Sequence, residues 1–474
     1  MYQQPNYVSA AEALSVIESN QRVFMHGSAC TPLHMMRELA KQSHRLQNVE
    51  LVSITVFGDI EVDKPQYKDS FHINSLFVST SVRQAVNEGR ADFVPVFLSD
   101  IPDLFRSVLK PEVAIIQVSL PDEHGYCSMG VSVDISRSAA SNATIIIAQV
   151  NPKVPRTHGD GAIHISRFTH CVFHEEELPQ VDYGAKMGAD ELTIGKYVAE
   201  LIDDGSTLQM GIGTIPDAVF RSLHNHKHLG VHTEMCSDGI VDLFEKDIID
   251  NSKKKIHPFK AVTGFAVGTN KLYNYVNNNP AFAFLDIDFV NDPHVIRRNP
   301  KVIAINSAIE VDITGQVCAD SIGTYQFSGI GGQMDFMRGA ALSDGGKPII
   351  ALTSRTNKGV ARIVPSLKAG AGVVTTRGHV HYIITEYGVA YLYGKNLRQR
   401  AKALIDIAHP EDREWLTKEC FERFKIFKIF YSFYNSGAFK IVAIYLFAVF
   451  DETPPLAGGD TAVFQSAAVV GCIQ

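Results

Sequence analysis

The residues best suited to chemistry lie in one short segment, Thr233–Gly239, which reads Thr-Glu-Met-Cys-Ser-Asp-Gly. Its glutamate, Glu234, stands among small and apolar neighbours and shortly before a glycine. A carboxylate in such surroundings is either held by hydrogen bonds or kept ready as a nucleophile or a base. Glu234 is therefore the candidate catalytic residue, with a purely structural role as the alternative.

A first glycine turn, residues 211–216, precedes this segment and reads Gly-Ile-Gly-Thr-Ile-Pro. It stands between an apolar run typical of a strand and a segment typical of a helix. Backbone N–H groups at a helix N-terminus can receive an anion or a polarised oxygen. The third glycine of a dinucleotide-binding fingerprint is missing. The turn is a candidate ligand contact, and a simple strand-to-helix turn is the alternative.

A second glycine-rich segment, which we call the glycine loop, covers residues 329–332 and reads Gly-Ile-Gly-Gly. Three glycines in four positions let the backbone come close to a ligand, at an entropic cost that a plain loop rarely carries. The loop lacks the Gly-Lys-Ser/Thr ending of a P-loop, which disfavours nucleoside triphosphate chemistry. Its N–H groups would suit an oxyanion hole. A structural bulge is the alternative.

A cluster of basic residues follows the predicted strand at 348–353 and comprises Arg355, Lys358, Arg362 and Lys368. Open α/β sheets bind their ligands at the carboxyl ends of parallel strands. The cluster is a candidate anion site, with a solvated charged loop as the alternative.

Other candidates are weaker. His379 and His381 would share one face of a strand, but no third ligand is near in sequence, so no metal site is predicted. Glu386 follows an apolar run and is interpreted as a buried structural residue. Cys236 lacks the helix-terminal or histidine context of a reactive thiol. The seven cysteines contain no Cys-x-x-Cys pair, which indicates reduced thiols rather than a zinc site or a disulfide framework.

An internal repeat indicates how these segments are positioned. At a shift of 184 residues the chain aligns with itself at Ile17 and Leu201, Gly27 and Gly211, Pro32 and Pro216, Leu39 and Leu223, and Glu50 and Glu234. Each copy reads as helix, short apolar strand, glycine turn, helix and second strand. We predict an α/β fold of two similar domains with mainly parallel sheets. Glu50 lacks the Ser-Asp-Gly continuation and is interpreted as a non-catalytic copy of Glu234.

The predicted domain boundaries follow from the repeat. Residues 1–185 form an N-terminal domain, and residues 190–428 form a C-terminal domain that carries the candidate glutamate. Residues 429–474 form an atypical hydrophobic tail that resembles neither domain. A membrane anchor in this tail is disfavoured because Asn435 and Lys440 interrupt its apolar run.

Bulk properties exclude some classes of function. The chain has 474 residues and a net charge of −7, which argues against a nucleic-acid-binding surface. Its first residues, Met-Tyr-Gln-Gln-Pro, show neither an apolar signal run nor an arginine-rich transit pattern. We expect a cytoplasmic protein, with a mitochondrial location as the alternative in a eukaryote.

Together the motifs resemble the acetyl-CoA hydrolase/transferase family, the class I coenzyme A transferases that include 4-hydroxybutyrate and acetate CoA-transferases. The segments that carry the resemblance are GIGTIPD at 211–217, TEMCSDGIVDL at 233–243, GIGGQMDF at 329–336, KGVARIVP at 358–365 and HVHYIITEYGVAYL at 379–392. The similarity extends from about Val8 to Lys425.

The resemblance implies a role for each segment. Glu234 would be the nucleophile that forms a glutamyl-CoA thioester, so the enzyme would show ping-pong kinetics and move CoA between a short-chain acyl-CoA and a small carboxylate. Coenzyme A would be a substrate, with no tightly bound cofactor and a homodimeric assembly. The residues implied to contact CoA or an oxyanion are Gly211, Ile212, Gly213, Thr214, Ile215, Ile309, Gly331, Gly332 and Lys358. The alternatives are an acetyl-CoA hydrolase that uses the same glutamate and a non-catalytic metabolite-binding or regulatory protein of related fold.

Overall fold

The computed structural model of the protein describes residues 5–182, 184, 187–211 and 213–425. The predicted tail at 429–474 and Ile212 of the first glycine turn lie outside the described residues.

The N-terminal half contains one seven-stranded sheet and a two-stranded ribbon. Its strands are β1 (Arg22–Met25), β2 (Val49–Ser53), β3 (Phe71–Ser75), β4 (Ala91–Phe93), β5 (Val113–Val118), β6 (Tyr126–Ser128), β7 (Ile145–Val150), β8 (Ala162–His164) and β9 (His170–Phe173). The sheet has the order β4-β3-β2-β1-β5-β7-β9, and every neighbouring pair in it is parallel. β6 and β8 form the antiparallel ribbon.

The C-terminal half contains an eight-stranded sheet and two small sheets. Its strands are β10 (Thr207–Met210), β11 (Gly230–Cys236), β12 (Ala261–Ala266), β13 (Phe282–Phe284), β14 (Val302–Asn306), β15 (Glu310–Asp312), β16 (Val317–Cys318), β17 (Ser321–Ile322), β18 (Tyr325–Gln326), β19 (Lys347–Ala351), β20 (Ile363–Val364), β21 (Tyr382–Thr385) and β22 (Gly388–Tyr391). The large sheet has the order β13-β12-β11-β10-β14-β19-β21-β22, with only β22 antiparallel to its neighbour.

The two large sheets are copies of one design. Each has four strands in reverse chain order, and further strands lie on the other side of the first one, three in the N-terminal sheet and four in the C-terminal sheet. Near-continuous apolar runs such as β5 and β12 are buried along their whole length, as expected of parallel strands that are covered on both faces. The predicted fold class, two similar α/β domains with mainly parallel sheets, is confirmed.

Helices and the apolar core complete the two halves. The helices are α1 (Ala10–Leu14), α2 (Leu33–Lys41), α3 (Arg83–Asn87), α4 (Ile101–Arg106), α5 (Ser136–Asn142), α6 (Ala189–Ala199), α7 (Thr214–Ser222), α8 (Gly239–Glu245), α9 (Asn270–Val276), α10 (Ile287–Val290), α11 (Pro293–Ile296), α12 (Gln333–Leu342), α13 (Leu397–Asp406) and α14 (Arg413–Phe424). The largest buried apolar cluster includes residues of both halves, among them Phe105 and Phe284. In the part of the chain that the structure describes, no helix is both long and apolar enough to cross a membrane.

Strand registers refine the predicted repeat. In the N-terminal sheet Val23 of β1 lies opposite Leu51 of β2. In the C-terminal sheet Thr207 of β10 lies opposite Gly230 of β11. Val23 and Thr207 are equivalent at the shift of 184, so Leu51 and Gly230 are equivalent as well.

The predicted correspondence between Glu50 and Glu234 is therefore wrong. Glu234 lies four residues beyond Gly230, whereas Glu50 lies one residue before Leu51, near the opposite end of its strand. The residue that occupies the position of Glu234 in the N-terminal half is Thr55. The offset arises mainly because the connection from β1 to α2 is seven residues long, against three from β10 to α7.

Candidate active site

Glu234 is the fifth of the seven residues of β11, towards the carboxyl end of a strand in the middle of the C-terminal sheet. Its neighbours Thr233 and Met235 are buried, and its own side chain is partly exposed. The Thr263 hydroxyl donates to the backbone oxygen of Glu234 at 3.3 Å, which fixes β11 against β12 at this point. The carboxylate therefore lies at the edge where open parallel sheets bind their ligands.

Asn291 holds the Glu234 carboxylate from the side. This asparagine directly follows α10 and is fully buried. Its Nδ2 donates to Glu234 Oε2 at 3.2 Å and also to Asp335 Oδ2 at 3.1 Å. Its Oδ1 is buried and finds no hydrogen-bond partner among the residues that the structure describes. A single amide group therefore connects two carboxylates.

The glycine loop lies against the same carboxylate. The backbone N–H of Gly332 donates to Glu234. A Cβ atom at Gly332 would lie 2.0 Å from Glu234 Oε2 and 2.1 Å from Asn291 Nδ2, so no other residue fits here. Gly331 has φ +59°, a left-handed conformation that favours glycine. The close backbone approach that the three glycines suggested is thus an approach to Glu234 itself.

Residues of the N-terminal half pack against the glycine loop. The Leu98 N–H donates to the Gly331 oxygen at 3.1 Å, and the side chain of Phe77 lies against Gly329 and Gly331. Ser99 bonds to Asp335 in the first turn of α12. The candidate site is therefore formed where the two halves meet.

Burial raises the pKa of Glu234 to about 7. The hydrogen bonds from Asn291 and from the Gly332 N–H oppose this rise in pKa. The negative charges of Asp335 and Asp134 add to it. Asp134 belongs to the N-terminal half and is held near the site by two backbone hydrogen bonds. Its N–H and that of Val133 both donate to the Gly264 oxygen on β12 at 3.1 Å. Glu234 is consequently a more basic carboxylate than one in water, and it is ionised for a substantial fraction of the time near neutral pH.

The first glycine turn lies beside β11. Met210, the last residue of β10, donates its N–H to the Thr233 hydroxyl at 3.3 Å, and continuing the β10–β11 register brings Gly211 level with Glu234. Gly213 precedes α7 with φ +123°, and Thr214 and Ile215 are the first two residues of that helix. Among the described residues, no atom other than those of the chain neighbours lies within 4 Å of where a Cβ would stand at Gly211 or Gly213. Within this part of the chain, the N-terminus of α7 therefore borders open space near Glu234.

The predicted basic cluster is only partly paired with acidic residues. Arg355 pairs with Asp412 at 2.6 Å, and Lys368 pairs with Glu310 at 2.5 Å. Lys358 is exposed in a turn, Arg362 is partly exposed, and neither forms an ion pair with any residue that the structure describes. Two of the four charges are thus neutralised within the protein, and an anion site at the other two stays a prediction.

Ile309 and Lys358 are not joined to the Glu234 cluster by any hydrogen bond or ion pair among the described residues. Ile309 is partly exposed at the start of β15, where its N–H donates to the Cys318 oxygen at 2.8 Å. Their predicted contact with CoA stays a prediction.

The competing candidates have structural surroundings. Glu386 accepts from the Ser354 N–H at 2.9 Å and from the Ser354 hydroxyl at 2.5 Å, so it fastens the end of β19 to the β21–β22 hairpin. The ring of His381 lies 4.3 Å from the ring of Tyr393 at a tilt of 42°. Burial raises the pKa of the Cys236 thiol to about 12, which keeps it protonated. Among the described residues no group of three or more histidine, cysteine or acidic side chains could hold a metal ion.

Sequence reasoning missed Asn291, Asp335, Ser99 and Asp134. Asp335 stands inside the GIGGQMDF motif, so the motif itself was a signal for it. The other three carry no local signal, because Ser99 and Asp134 belong to the other half of the chain and Asn291 lies in an ordinary loop sequence. The packing of the two halves brings Ser99 and Asp134 to the site, and the folding of the C-terminal half brings Asn291 to Glu234.

The chain matches the defining patterns of two family domains. These are the acetyl-CoA hydrolase/transferase N-terminal domain at residues 2–183 and the acetyl-CoA hydrolase/transferase C-terminal domain at residues 268–420.

Known proteins similar to the chain include two enzymes and a solved structure. The succinyl-CoA:acetate/propanoyl-CoA:succinate CoA transferase of Fasciola hepatica is 50% identical over 422 residues, which cover 88% of this chain and 87% of that protein. The 4-hydroxybutyrate coenzyme A transferase of Clostridium kluyveri is 48% identical, with 88% and 97% covered. The crystal structure of 4-hydroxybutyrate CoA-transferase from Porphyromonas gingivalis superimposes with a TM-score of 0.76 at 38% identity, with 88% and 97% covered. With its duplicated sheets and its motifs, the chain belongs to the acetyl-CoA hydrolase/transferase family.

Proposed function

We propose that the protein transfers coenzyme A between a short-chain acyl-CoA and a small carboxylate, with Glu234 as the nucleophile. The observation that carries the proposal is the pairing of the Glu234 carboxylate with the Gly332 N–H and the Asn291 amide in a buried site. The similarity to CoA transferases that act on acetate, succinate and 4-hydroxybutyrate supports the substrate class.

The first half of the reaction forms an anhydride. A Glu234 oxygen attacks the thioester carbonyl carbon of the acyl-CoA, and the tetrahedral intermediate collapses by expelling the CoA thiolate. The products are an acyl-glutamyl anhydride and free thiolate. Burial favours this step because a carboxylate that has lost part of its hydration shell is a stronger nucleophile.

The second half moves CoA to the enzyme. The thiolate attacks the Glu234 carbonyl carbon of the anhydride, and the bond to the acyl oxygen breaks, which releases the first carboxylic acid as its carboxylate. A glutamyl-CoA thioester remains, so the energy of the thioester bond is kept. An incoming carboxylate then reverses the two steps. During attack at the Glu234 carbon, the Gly332 N–H and Asn291 Nδ2 are placed to stabilise the oxyanion that develops there.

Coenzyme A is proposed as a substrate that binds along the first glycine turn. The open space at Gly211 and Gly213, and the N–H groups of Thr214 and Ile215, which have no hydrogen-bond partner among the described residues, support this placement. Lys358, exposed and without an ion pair among the described residues, is proposed to bind a phosphate of CoA, and Ile309 to contact the same ligand. A homodimer stays a prediction from the family resemblance, and a cytoplasmic location stays a prediction from the first residues of the sequence.

The test is isotope exchange. Purified protein is incubated with acetyl-CoA and labelled acetate, and label in acetyl-CoA is followed against the release of free CoA. A transferase exchanges label faster than it releases CoA. Release of free CoA that is as fast as exchange, with no dependence on acetate, would assign the protein as a hydrolase that uses the same site. The absence of both reactions would favour a non-catalytic binding protein.

The preferred acid is found by a competition screen. Propionate, butyrate, succinate and 4-hydroxybutyrate are each offered with acetyl-CoA, and the new acyl-CoA is quantified. Because one methylene in an apolar pocket is worth only about 1–3 kcal/mol, we expect overlapping acceptors with graded kcat/KM rather than a single substrate.

A further inference from the structure

We infer that Asp335, held by Ser99, is a positioning residue that orients the Asn291 amide toward Glu234. Asp335 is buried and would act only through Asn291. The inference rests on the proposed function for its consequence in catalysis, while its structural part can be tested without turnover.

The hydrogen bonds of Asp335 define its role. It is the third residue of α12 and is 5% exposed. Oδ1 accepts from the Ser99 hydroxyl at 2.9 Å, and Oδ2 accepts from the Ser99 N–H at 3.2 Å and from Asn291 Nδ2 at 3.1 Å. Three donors on one buried carboxylate leave it little freedom to rotate.

The geometry of the Asn291 amide follows from its two acceptors. Its nitrogen carries two hydrogens, and the two acceptors are Glu234 and Asp335. The reversed amide would point its carbonyl oxygen at both carboxylates, where it could not donate. Asp335 therefore fixes the end of the amide that faces Glu234, even though the buried Oδ1 is left without a partner among the described residues.

The role of Ser99 ties this network to the other half of the molecule. Ser99 follows Leu98, whose N–H binds the Gly331 oxygen, so one short segment of the N-terminal half holds both the glycine loop and Asp335. The amide of Gly332 and the amide of Asn291 are the two donors to Glu234. Both are thus supported by the same segment at 98–99.

The charges around the site set the expected direction of a pH effect. Glu234 faces Asp335 from α12 and Asp134 from the N-terminal half. Asp335 faces Asp100 from the segment that carries Ser99. Removing the charge of Asp335 takes away one of the groups that oppose ionisation of Glu234. Glu234 should then ionise at lower pH, although its ionised carboxylate is positioned less firmly by Asn291.

The test compares Asp335→Asn and Ser99→Ala in the full-length protein with Asp103→Asn as the matched control. Asp103 is an exposed carboxylate on α4 that pairs with Arg106 at 2.8 Å and is not among the charges that face Glu234 or Asp335. Thermal melting shows which variants fold. Activity is read as kcat and KM against pH, and the protonation of Glu234 is read separately from the pH dependence of its modification by a water-soluble carbodiimide, located by mass spectrometry.

We expect Asp335→Asn to lower kcat by at least about tenfold, with KM for acyl-CoA changed less than about twofold, and to shift the modification profile of Glu234 to lower pH. Ser99→Ala should give the same changes at smaller size, and it keeps the test valid if Asp335→Asn does not fold. Asp103→Asn should resemble wild type in both readouts.

Two results are decisive. If folded Asp335→Asn and Ser99→Ala keep the wild-type kcat and the wild-type modification profile, Asp335 does not position the site and the inference is overturned. If the wild type transfers no CoA but the variants still shift the modification profile, the positioning inference stands and the proposed function fails.

Discussion

The connection from β1 to α2 and the connection from β10 to α7 occupy equivalent places in the two halves, yet they are built differently. The first, residues 26–32, is seven residues long and wholly buried. The second, residues 211–213, is three residues long, and its described glycines are only partly buried. In the N-terminal half the connection from strand to helix is filled by buried residues, whereas in the C-terminal half it is open.

The atoms at the two glycines show what this difference does. A Cβ atom at Gly27 would lie 2.9 Å from both Ile54 Cγ2 and the Thr55 oxygen, whereas a Cβ at Gly211 or Gly213 would meet no atom within 4 Å among the described residues other than its chain neighbours. The turn after β1 is thus filled by protein, and the turn after β10, which leads into the N-terminus of α7, leaves space for a ligand within the described part of the chain. Duplication supplied two similar frameworks, and only the C-terminal one kept both the open turn and a carboxylate beside it.

The largest expected difference between the two halves concerns Glu234 and Glu50. Glu234→Gln should lower CoA transfer by at least about 10³-fold, because no other group can carry the acyl intermediate. Glu50→Gln is the matched control, since Glu50 forms an ion pair with Arg22 at 2.8 Å on the N-terminal sheet and should leave kcat within about twofold. Steady-state assays of both variants test this prediction. Equal losses of activity would contradict the assignment of Glu234 as the nucleophile.

The next largest effect should come from the glycine loop. Gly332→Ala places a methyl group where Glu234 Oε2 and Asn291 Nδ2 now lie, so the loop must move away and its N–H is lost as a donor. We expect kcat to fall by about 10²- to 10³-fold, the usual loss for one oxyanion donor. Gly378→Ala, which meets only the Thr376 hydroxyl at 3.8 Å, serves as control. A Gly332→Ala enzyme with normal kcat would remove the loop from the mechanism.

Alanine at the two equivalent glycines sharpens the comparison of the connections. Gly211→Ala should leave the melting temperature unchanged and raise KM for acyl-CoA roughly tenfold, because its methyl group enters the space proposed for CoA. Gly27→Ala should destabilise the protein by about 1–3 kcal/mol through overpacking, with little change in KM once folded. Gly211→Ala should therefore change KM and not the melting temperature, and Gly27→Ala should lower the melting temperature with little change in KM. A normal KM in Gly211→Ala would place CoA elsewhere.

The smallest effect concerns stability and pH. The pKa of Glu234 is raised by burial to about 7, above its usual value near 4.5, so the folded state binds this proton more tightly than the unfolded state does. The stabilisation is present below about pH 4.5 and is lost as the pH rises through 7. Glu234→Gln does not titrate, so its melting temperature should exceed that of wild type by a few degrees at pH 8 and much less at pH 5. An equal difference at both pH values would contradict the raised pKa.

Much of the fold could be predicted because it depends on local pattern. Buried parallel strands such as β5 and β14 are nearly continuous apolar runs, and the repeat places them in the same order in both halves. The shift of 184 nevertheless failed beyond the first glycine, since an ungapped alignment cannot represent connections of seven and three residues. Glu50 was matched to Glu234 for that reason.

The candidate site could be predicted only in part. Glu234 and Gly332 lie in motifs whose unusual residue types are visible in the sequence. Lys368 and Arg355 looked available for a ligand, but their acidic partners lie 58 and 57 residues away and are brought to them only by folding. Ser99 and Asp335 are 236 residues apart, so no local pattern could relate them.

The central claim is that Glu234, and no residue of the N-terminal copy, becomes covalently attached to CoA. The most direct measurement incubates the wild-type protein with acetyl-CoA, treats it with borohydride, and locates modified side chains by peptide mass spectrometry. The account predicts that Glu234 alone is reduced to the corresponding alcohol, only when acetyl-CoA is present, and not in Glu234→Gln. Active enzyme without modification at Glu234, or with modification at another carboxylate, would contradict it.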